Sequence, residues 1–141
     1  MAKINTPKTS KQLAIFCAKM SAEKIAEDIN VIDLQKIESA TTDFFVICST
    51  DSVNQSRAIL DTILRQGKKL GLTKPKVEGE LNGEWILIDF FDVVIHIMLK
   101  SIREYYDIEN VWSDSIFYEY NVKTERLNKI EKSKKDKIIP V

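Results

Sequence analysis

The chain has 141 residues and a mass of 16.2 kDa, which suits one domain of ordinary size. Hydrophobic residues make up 44% and charged ones 30%, enough to bury a core and too apolar for disorder throughout. Basic and acidic residues number 21 each, so the chain as a whole lacks the basic excess of a dedicated nucleic-acid binder. No apolar run approaches the ~20 residues of a membrane helix, and the start MAKINTPKTSKQ has no apolar signal core; a cytoplasmic protein with no membrane partner is expected.

The charge is unevenly spread. Residues 123–137 hold seven basic side chains (Lys123, Arg126, Lys129, Lys132, Lys134, Lys135, Lys137) against three acidic ones, so a neutral total conceals an acidic body and a basic end. This divides the chain into a domain at 1–120 and a basic, flexible C-terminal tail at 121–141. Cys17 and Cys48 form no Cys-x-x-Cys pair and are expected to be unpaired thiols. A single histidine, His96, excludes most His-rich metal sites and any triad that needs a second one.

In chain order, residues 8–28 carry Leu13, Ile15, Phe16, Met20 and Ile25 near helical spacing, with Thr9 or Ser10 as cap. Ile29 to Leu34 reads as a strand, and Phe44 to Cys48 as a second strand covered on both faces. Ser49-Thr50-Asp51-Ser52 offers caps for a helix carrying Ile59, Leu60, Ile63, Leu64 and Leu70, which Gly71 ends. Pro75 to Glu78 makes a third strand, Asn82-Gly83 a turn, Trp85 to Asp89 and Val93 to Leu99 two more strands, and 101–109 a third helix. This order gives an α/β domain: a mixed five-stranded sheet with helices mainly on one face.

The last two strands carry the sharpest inference. With Phe90-Phe91 as a two-residue turn, Ile88 pairs with Val93, Leu87 with Val94, Ile86 with Ile95 and Trp85 with His96. Alternation then puts Ile86, Ile88, Val93, Ile95 and Ile97 on a pure core face. Trp85, Leu87, Val94, His96 and Met98 fall on the other, with Asp89 at its edge. Aromatics and Met with few charges suit a contact surface, and equally a face covered by the third helix or the tail.

Catalytic constellations are scarce. The Ser49–Ser52 loop lies where a phosphate loop would, yet it has no glycine, and helix capping accounts for it. Asp89 and Asp92 bracket a turn, where Asp serves local hydrogen bonding more often than metal. His96 has no evident nucleophile beside it. Lys68, Lys69, Lys74 and Lys76 cluster near the end of the second helix, where solvent and the helix dipole account for them. Tyr105, Tyr106 and Trp112 lie in a charged stretch, the setting in which an apolar ring meets a polar rim. No cofactor is called for.

Several segments in order, Thr42-Asp43-Phe44-Phe45-Val46-Ile47-Cys48-Ser49, Val77-Glu78-Gly79, Trp85-Ile86-Leu87-Ile88-Asp89, Asp92-Val93-Val94-Ile95-His96 and Arg103-Glu104-Tyr105-Tyr106-Asp107 closing on Val111-Trp112, resemble the ribosomal silencing factor family, also called RsfS or Iojap. Order and spacing agree over roughly residues 10–115. One position departs: the family usually has Gly where Phe91 stands. The resemblance implies a nucleotidyltransferase-like fold without that catalysis, hence no enzyme. It implies binding to the large ribosomal subunit through large-subunit ribosomal protein fourteen, a steric block to small-subunit joining that represses translation in starvation or stationary phase, and a link to large-subunit assembly. By position, Trp85 and Tyr106 match the family's interface tryptophan and tyrosine; strand geometry adds Leu87, Asp89, His96 and Met98 as partner-binding residues. A basic tail reaching rRNA and a homodimer of unbound copies are further expectations. The competing readings are a nucleotidyltransferase-like nucleotide-binding enzyme and a small RNA-binding module, the latter disfavoured by the acidic body.

Overall fold

Thr9 and Ser52 open the two long helices in the same way. In the computed structural model, which describes residues 5–131, α1 (Ser10–Glu23) begins where the Thr9 hydroxyl accepts from the Gln12 N–H at 3.1 Å. Helix α2 (Val53–Lys69) begins where Ser52 does the same for Gln55 at 3.1 Å. Each hydroxyl satisfies a donor that a helix start leaves unpaired.

The ends differ instructively. Gly71 takes φ 77°, and the Gly71 and Leu72 N–H groups bond back to the carbonyls of Lys68 and Gly67, as its place in the sequence predicts. The end of α1 has the same bond pair, Ile25 to Ala22 and Ala26 to Ser21, but the left-handed position is filled by Ile25 at φ 65°. With no glycine to mark the stop, helical periodicity runs on past Glu23 to residue 28.

Five strands fall where the sequence places them: β1 (Glu27–Asp33), β2 (Phe44–Thr50), β3 (Lys76–Glu78), β4 (Trp85–Asp89) and β5 (Val93–Leu99). Helix α3 (Lys100–Tyr106) follows β5 without a loop, and a single further turn, α4 (Ile108–Val111), follows α3. Two strands are additional, β6 (Ile116–Asn121) and β7 (Arg126–Lys129), so the mixed sheet has seven strands in the order β3-β4-β5-β2-β1-β6-β7 rather than five. Only β2 and β5 run parallel; the other pairs are antiparallel. The sheet also crosses the boundary expected at residue 120. The β6–β7 hairpin carries on to Ile130, which is buried and bonds to the Phe117 carbonyl at 2.8 Å. The rest of the expected tail, residues 132–141, lies outside the described residues.

Helices α1 and α2 cover one face, where Val31, Val46, Cys48, Ile86, Ile88, Val93, Ile95 and Ile97 form the main core. Each such side chain stabilises the fold by about 1.5–3 kcal/mol on full burial. The opposite face carries a smaller cluster of Ile32, Leu34, Ile47, Met98, Phe117 and Ile130. It is roofed in part by Ile37 and Ala40 from the β1–β2 connection and by Ile102, Ile108 and Trp112 from the α3–α4 region. The two short helices therefore lie across from the two long ones, and the second face is only partly open.

The β4–β5 hairpin corrects the expected register. Asp89 faces Val94, Leu87 faces His96 and Trp85 faces Met98, a shift of two residues from the pairing that a Phe90-Phe91 turn would give. The turn residues are Phe91 and Asp92, closed by Phe90 N–H to Val93 O at 2.9 Å. Phe91 has φ 78° and sits at the centre of a γ-turn, with Asp92 N–H on Phe90 O at 3.0 Å. Asp89 holds it by accepting from the Phe91 N–H at 2.7 Å. Because the shift is even, the two faces keep the residues assigned to them.

Candidate partner-binding site

Trp85 begins β4 on the second face, and its position depends on the preceding loop. A Cβ at Gly79 would collide with the Trp85 carbonyl oxygen, so only glycine lets the Gly79–Gly83 turn lie against the strand. The Trp85 indole Nε1–H donates to His96 Nδ1 at 3.1 Å, across the strand pair and one step along. An Nδ1 that accepts is unprotonated, so His96 is the neutral Nε2–H tautomer. Burial pushes the His96 pKa down to about 4, which keeps the ring neutral through the physiological range.

Six rings follow one another across this face. Trp112 meets Phe45 edge-on at 5.6 Å between centroids, and Phe45 meets His96 at 4.7 Å. His96 meets Trp85 at 6.0 Å, Trp85 meets Tyr106 at 5.1 Å, and Tyr106 meets Tyr105 edge-on at 5.0 Å. Edge-to-face and tilted pairs at these spacings add stabilisation beyond area burial. The row is buried at its middle and open at one end: His96 is 6% exposed, Phe45 and Trp112 are half-buried, and Tyr106 and Tyr105 are 53% and 80% exposed. Beside the Trp112–Phe45–His96 half runs a groove of about 620 Å³, lined by Phe45, Leu87, Asp89, Val94, His96 and Trp112 together with Lys76 and the 39–42 segment.

The expected site residues divide accordingly. Trp85, His96 and Tyr106 are brought together, and Leu87 and Asp89 line the groove next to them. Met98 does not reach the surface: it is 0% exposed and belongs to the second core cluster, because α3 packs back over the end of β5. His96 lies under the surface as the support for Trp85. Phe45 and Tyr105 complete the row, and neither is among the partner-binding residues expected from the sequence. Phe45 can be placed only by knowing that β2 pairs with β5, whereas Tyr105 is legible as the first of two adjacent tyrosines.

Arg103 sets the position of α3. This buried guanidinium donates to the Asp28 carbonyl at 2.6 Å, to Ser49 Oγ at 3.0 Å and to Glu109 Oε2 at 3.1 Å. It thereby ties α3, α4, the bulge in β1 and the end of β2 to one another. On the solvent side, Lys100 Nζ sits between Glu27 at 3.0 Å and Asp51 at 2.8 Å. Asp107, left-handed at φ 46°, ends α3 directly after the exposed Tyr105 and Tyr106.

Several polar groups of the strand–helix loop at 49–52 are bonded within the chain. Asp51 N–H donates to Gln55 Oε1 at 2.8 Å, Gln55 N–H to Ser52, and the Thr50 and Ser56 hydroxyls share a bond of 2.7 Å. Two of the donors that could meet a phosphate, the Asp51 and Gln55 N–H groups, are thus engaged.

Residues 7–139 match the family described as RsfS, ribosomal silencing factor during starvation. The chain belongs to the ribosomal silencing factor family. It is 36% identical over 105 residues to the ribosomal silencing factor RsfS of Bacillus subtilis, covering 74% of this chain and 88% of that protein. It is 35% identical over 91 residues to the mouse protein named mitochondrial assembly of ribosomal large subunit protein 1, covering 62% of this chain and 40% of that one. A crystal structure of a Chromobacterium violaceum protein superposes with a TM-score of 0.70 at 30% identity, covering 74% of this chain and 87% of that one. The α/β class with a mixed sheet is therefore that of the silencing-factor family. No helix among the described residues is long and apolar enough to cross a membrane.

Proposed function

We propose that this protein is a non-enzymatic repressor of translation that binds the large ribosomal subunit through the Trp85–Tyr106 face. The observation that carries the reading is the aromatic row, anchored on buried His96 and emerging at Tyr106 and Tyr105. Tyr and Trp on a rigid support are the residues that concentrate binding energy, and a central one is worth ~2 kcal/mol or more. Glu104 and Asp107 flank the tyrosines, so the exposed end of the face suits a basic protein and repels bare RNA. Large-subunit ribosomal protein fourteen, implied by the family resemblance, is the partner we assign to it.

No reaction is required. One rigid face grips a protein at the subunit interface, and the bulk of the domain excludes the small subunit. The engaged donors at 49–52 and the Lys100 ammonium between Glu27 and Asp51 support this over a nucleotide-dependent enzyme, which needs that loop for phosphate. The names of the relatives, a silencing factor in bacteria and a large-subunit assembly protein in mouse, agree with a large-subunit partner and with a role in its assembly. The same face would pair two unbound copies into a homodimer. The tail's contact with rRNA concerns residues mostly outside those described.

Sedimentation of tagged protein through a ribosome gradient tests the proposal. Comigration with free large subunits and not with joined ribosomes is expected. Trp85→Ala should abolish comigration while circular dichroism stays unchanged. Full comigration of a folded Trp85→Ala variant would remove the reading.

A further inference from the structure

Away from the aromatic row, the charge distribution marks a second surface. The described residues hold 16 basic and 20 acidic side chains. Within 61–76 the balance reverses: Arg65, Lys68, Lys69, Lys74 and Lys76 stand against Asp61 alone, leaving 11 basic and 19 acidic elsewhere. All five cations are exposed. Arg65 pairs loosely with Asp61 at 3.9 Å, and none of the four lysines has a carboxylate within ion-pair distance among the described residues. The end of a helix favours one or two cations, but Lys74 lies beyond it, on the approach to β3; Lys76, at the start of that strand, turns to the other face and lines the groove beside Asp89, so it takes no part here.

An apolar slot opens between these cations. It has a volume of about 290 Å³ and is lined by Leu64, Leu72, Pro75 and Phe90, with Lys68 and Lys74 in its walls. Its side chains belong to the core under α1 and α2, so it opens on the face opposite to Trp85. The closed end of α2 shapes it: the Gly71 turn folds Leu72 back onto Gly67, and Phe90 reaches in from the β4–β5 turn.

We infer that this basic-walled slot binds a single-stranded segment of RNA, one base entering against Phe90 and Pro75 while Lys68, Lys69 and Lys74 hold the flanking phosphates. An aromatic platform within a track of unpaired cations is the chemistry that takes a base and its backbone together. The slot is large enough for a single base and too small for a folded partner's side-chain cluster. Charge complementarity favours a polyanion here, while the other described residues together carry an excess of eight acidic charges that turns RNA away from the acidic stretches at 25–60 and 77–122. The inference rests on the large-subunit reading for its biological setting, but not for its direct test.

Two measurements separate the claims. The first titrates full-length protein with a fluorescent single-stranded RNA octamer at low salt. The wild type and Trp85→Ala should bind alike, and the Lys68→Glu/Lys69→Glu/Lys74→Glu triple variant should bind roughly tenfold more weakly or worse. The second measures large-subunit affinity against salt concentration. The triple variant should lower the slope of log affinity against log salt by about 0.7 for each phosphate it no longer neutralises, whereas Tyr106→Ala weakens affinity with the slope intact. An unchanged slope together with equal octamer binding by the triple variant overturns the inference. So does a reduced slope with no octamer binding by the wild type, which would assign the cations to an acidic protein. If wild-type protein ignores large subunits yet binds the octamer through these lysines, the large-subunit reading fails and the RNA site stands. The melting temperature of the triple variant should fall by only a few degrees, since every altered side chain is exposed and the change is confined to the charges of Lys68 and Lys69 at the end of α2 and of Lys74 beyond it.

Discussion

The indole N–H of Trp85 donates to Nδ1 of His96 at 3.1 Å, so the ring that presents the partner-binding face is oriented by a buried neutral imidazole. Protonation of that nitrogen removes the acceptor. The folded-state pKa is about 4 against an ordinary 6.5. Above 6.5 the ring is neutral in folded and unfolded chains, and its contribution is complete. Between 6.5 and 4 the unfolded chain takes up a proton that the folded chain refuses, so stability falls as pH falls, by up to about 1.4 kcal/mol per pH unit. The whole window is worth on the order of 3 kcal/mol. Urea unfolding of wild type and His96→Gln at pH 7 and pH 4.5 measures this: the variant should lose much less stability on acidification. Parallel losses would assign the acid sensitivity to carboxylates instead.

Met98 and Tyr106 should separate core from contact. Met98 is fully enclosed, so Met98→Leu, which conserves volume, should cost less than about 1.5 kcal/mol of stability and leave large-subunit binding unchanged. Tyr106→Ala removes a half-exposed ring that meets Trp85 at a tilt and should weaken binding by about tenfold or more with only a small change in melting temperature. Quantitative pelleting with large subunits reads both. A Met98→Leu variant with native stability and no binding would place Met98 back in the interface.

Arg103 is the keystone of the α3 attachment. Arg103→Ala leaves the buried Glu109 carboxylate, the Asp28 carbonyl and the Ser49 hydroxyl without their donor. Breaking a buried pair in this way costs about 3–5 kcal/mol. For a chain of this length, that lowers the melting temperature by about 10 °C. Arg103→Lys should recover little, because an ammonium cannot reproduce the planar fork. Differential scanning calorimetry checks the order: wild type, then Lys, then Ala. Equal melting of the Lys variant and wild type would show that charge alone suffices.

Phe91 and Ile25 occupy left-handed backbone at φ 78° and 65° with most of their side-chain surface in solvent. Glycine at either position relieves strain while giving up little burial. Phe91→Gly and Ile25→Gly should each stabilise the protein by roughly 1 kcal/mol, an unusual sign for a glycine substitution. Chemical denaturation gives the direct measurement, and a loss of stability in both would mean that the exposed side chains make contacts worth more than the strain.

The two faces of β4 and β5 are legible because alternation has a period of two, and even a wrong turn cannot exchange them. The wrong turn comes from the symmetry of Phe90-Phe91 between Asp89 and Asp92, when the Asp89 side chain in fact caps the Phe91 N–H. The end of α1 is illegible because Ile25 takes the place of a glycine. Strand β6 has the aromatic, alternating pattern of a strand, Ile116-Phe117-Tyr118-Glu119-Tyr120, and is masked by the basic composition that follows it. Strand β7, Arg126-Leu127-Asn128-Lys129, is a short polar edge whose pairing depends on β6 being there.

By itself, the sequence determined the fold class, the family and the identity of the Trp85-bearing face, since periodicity, caps and motif order are local properties written along the chain. The tertiary structure decided how deep each residue of that face lies. The return of α3 and α4 over the sheet buries Met98 and His96 while leaving Tyr105 and Tyr106 in solvent. Depth depends on what packs above a strand, here a buried Arg103 that ties α3 to the Asp28 carbonyl and Ser49, far away in the chain, and no local pattern encodes that.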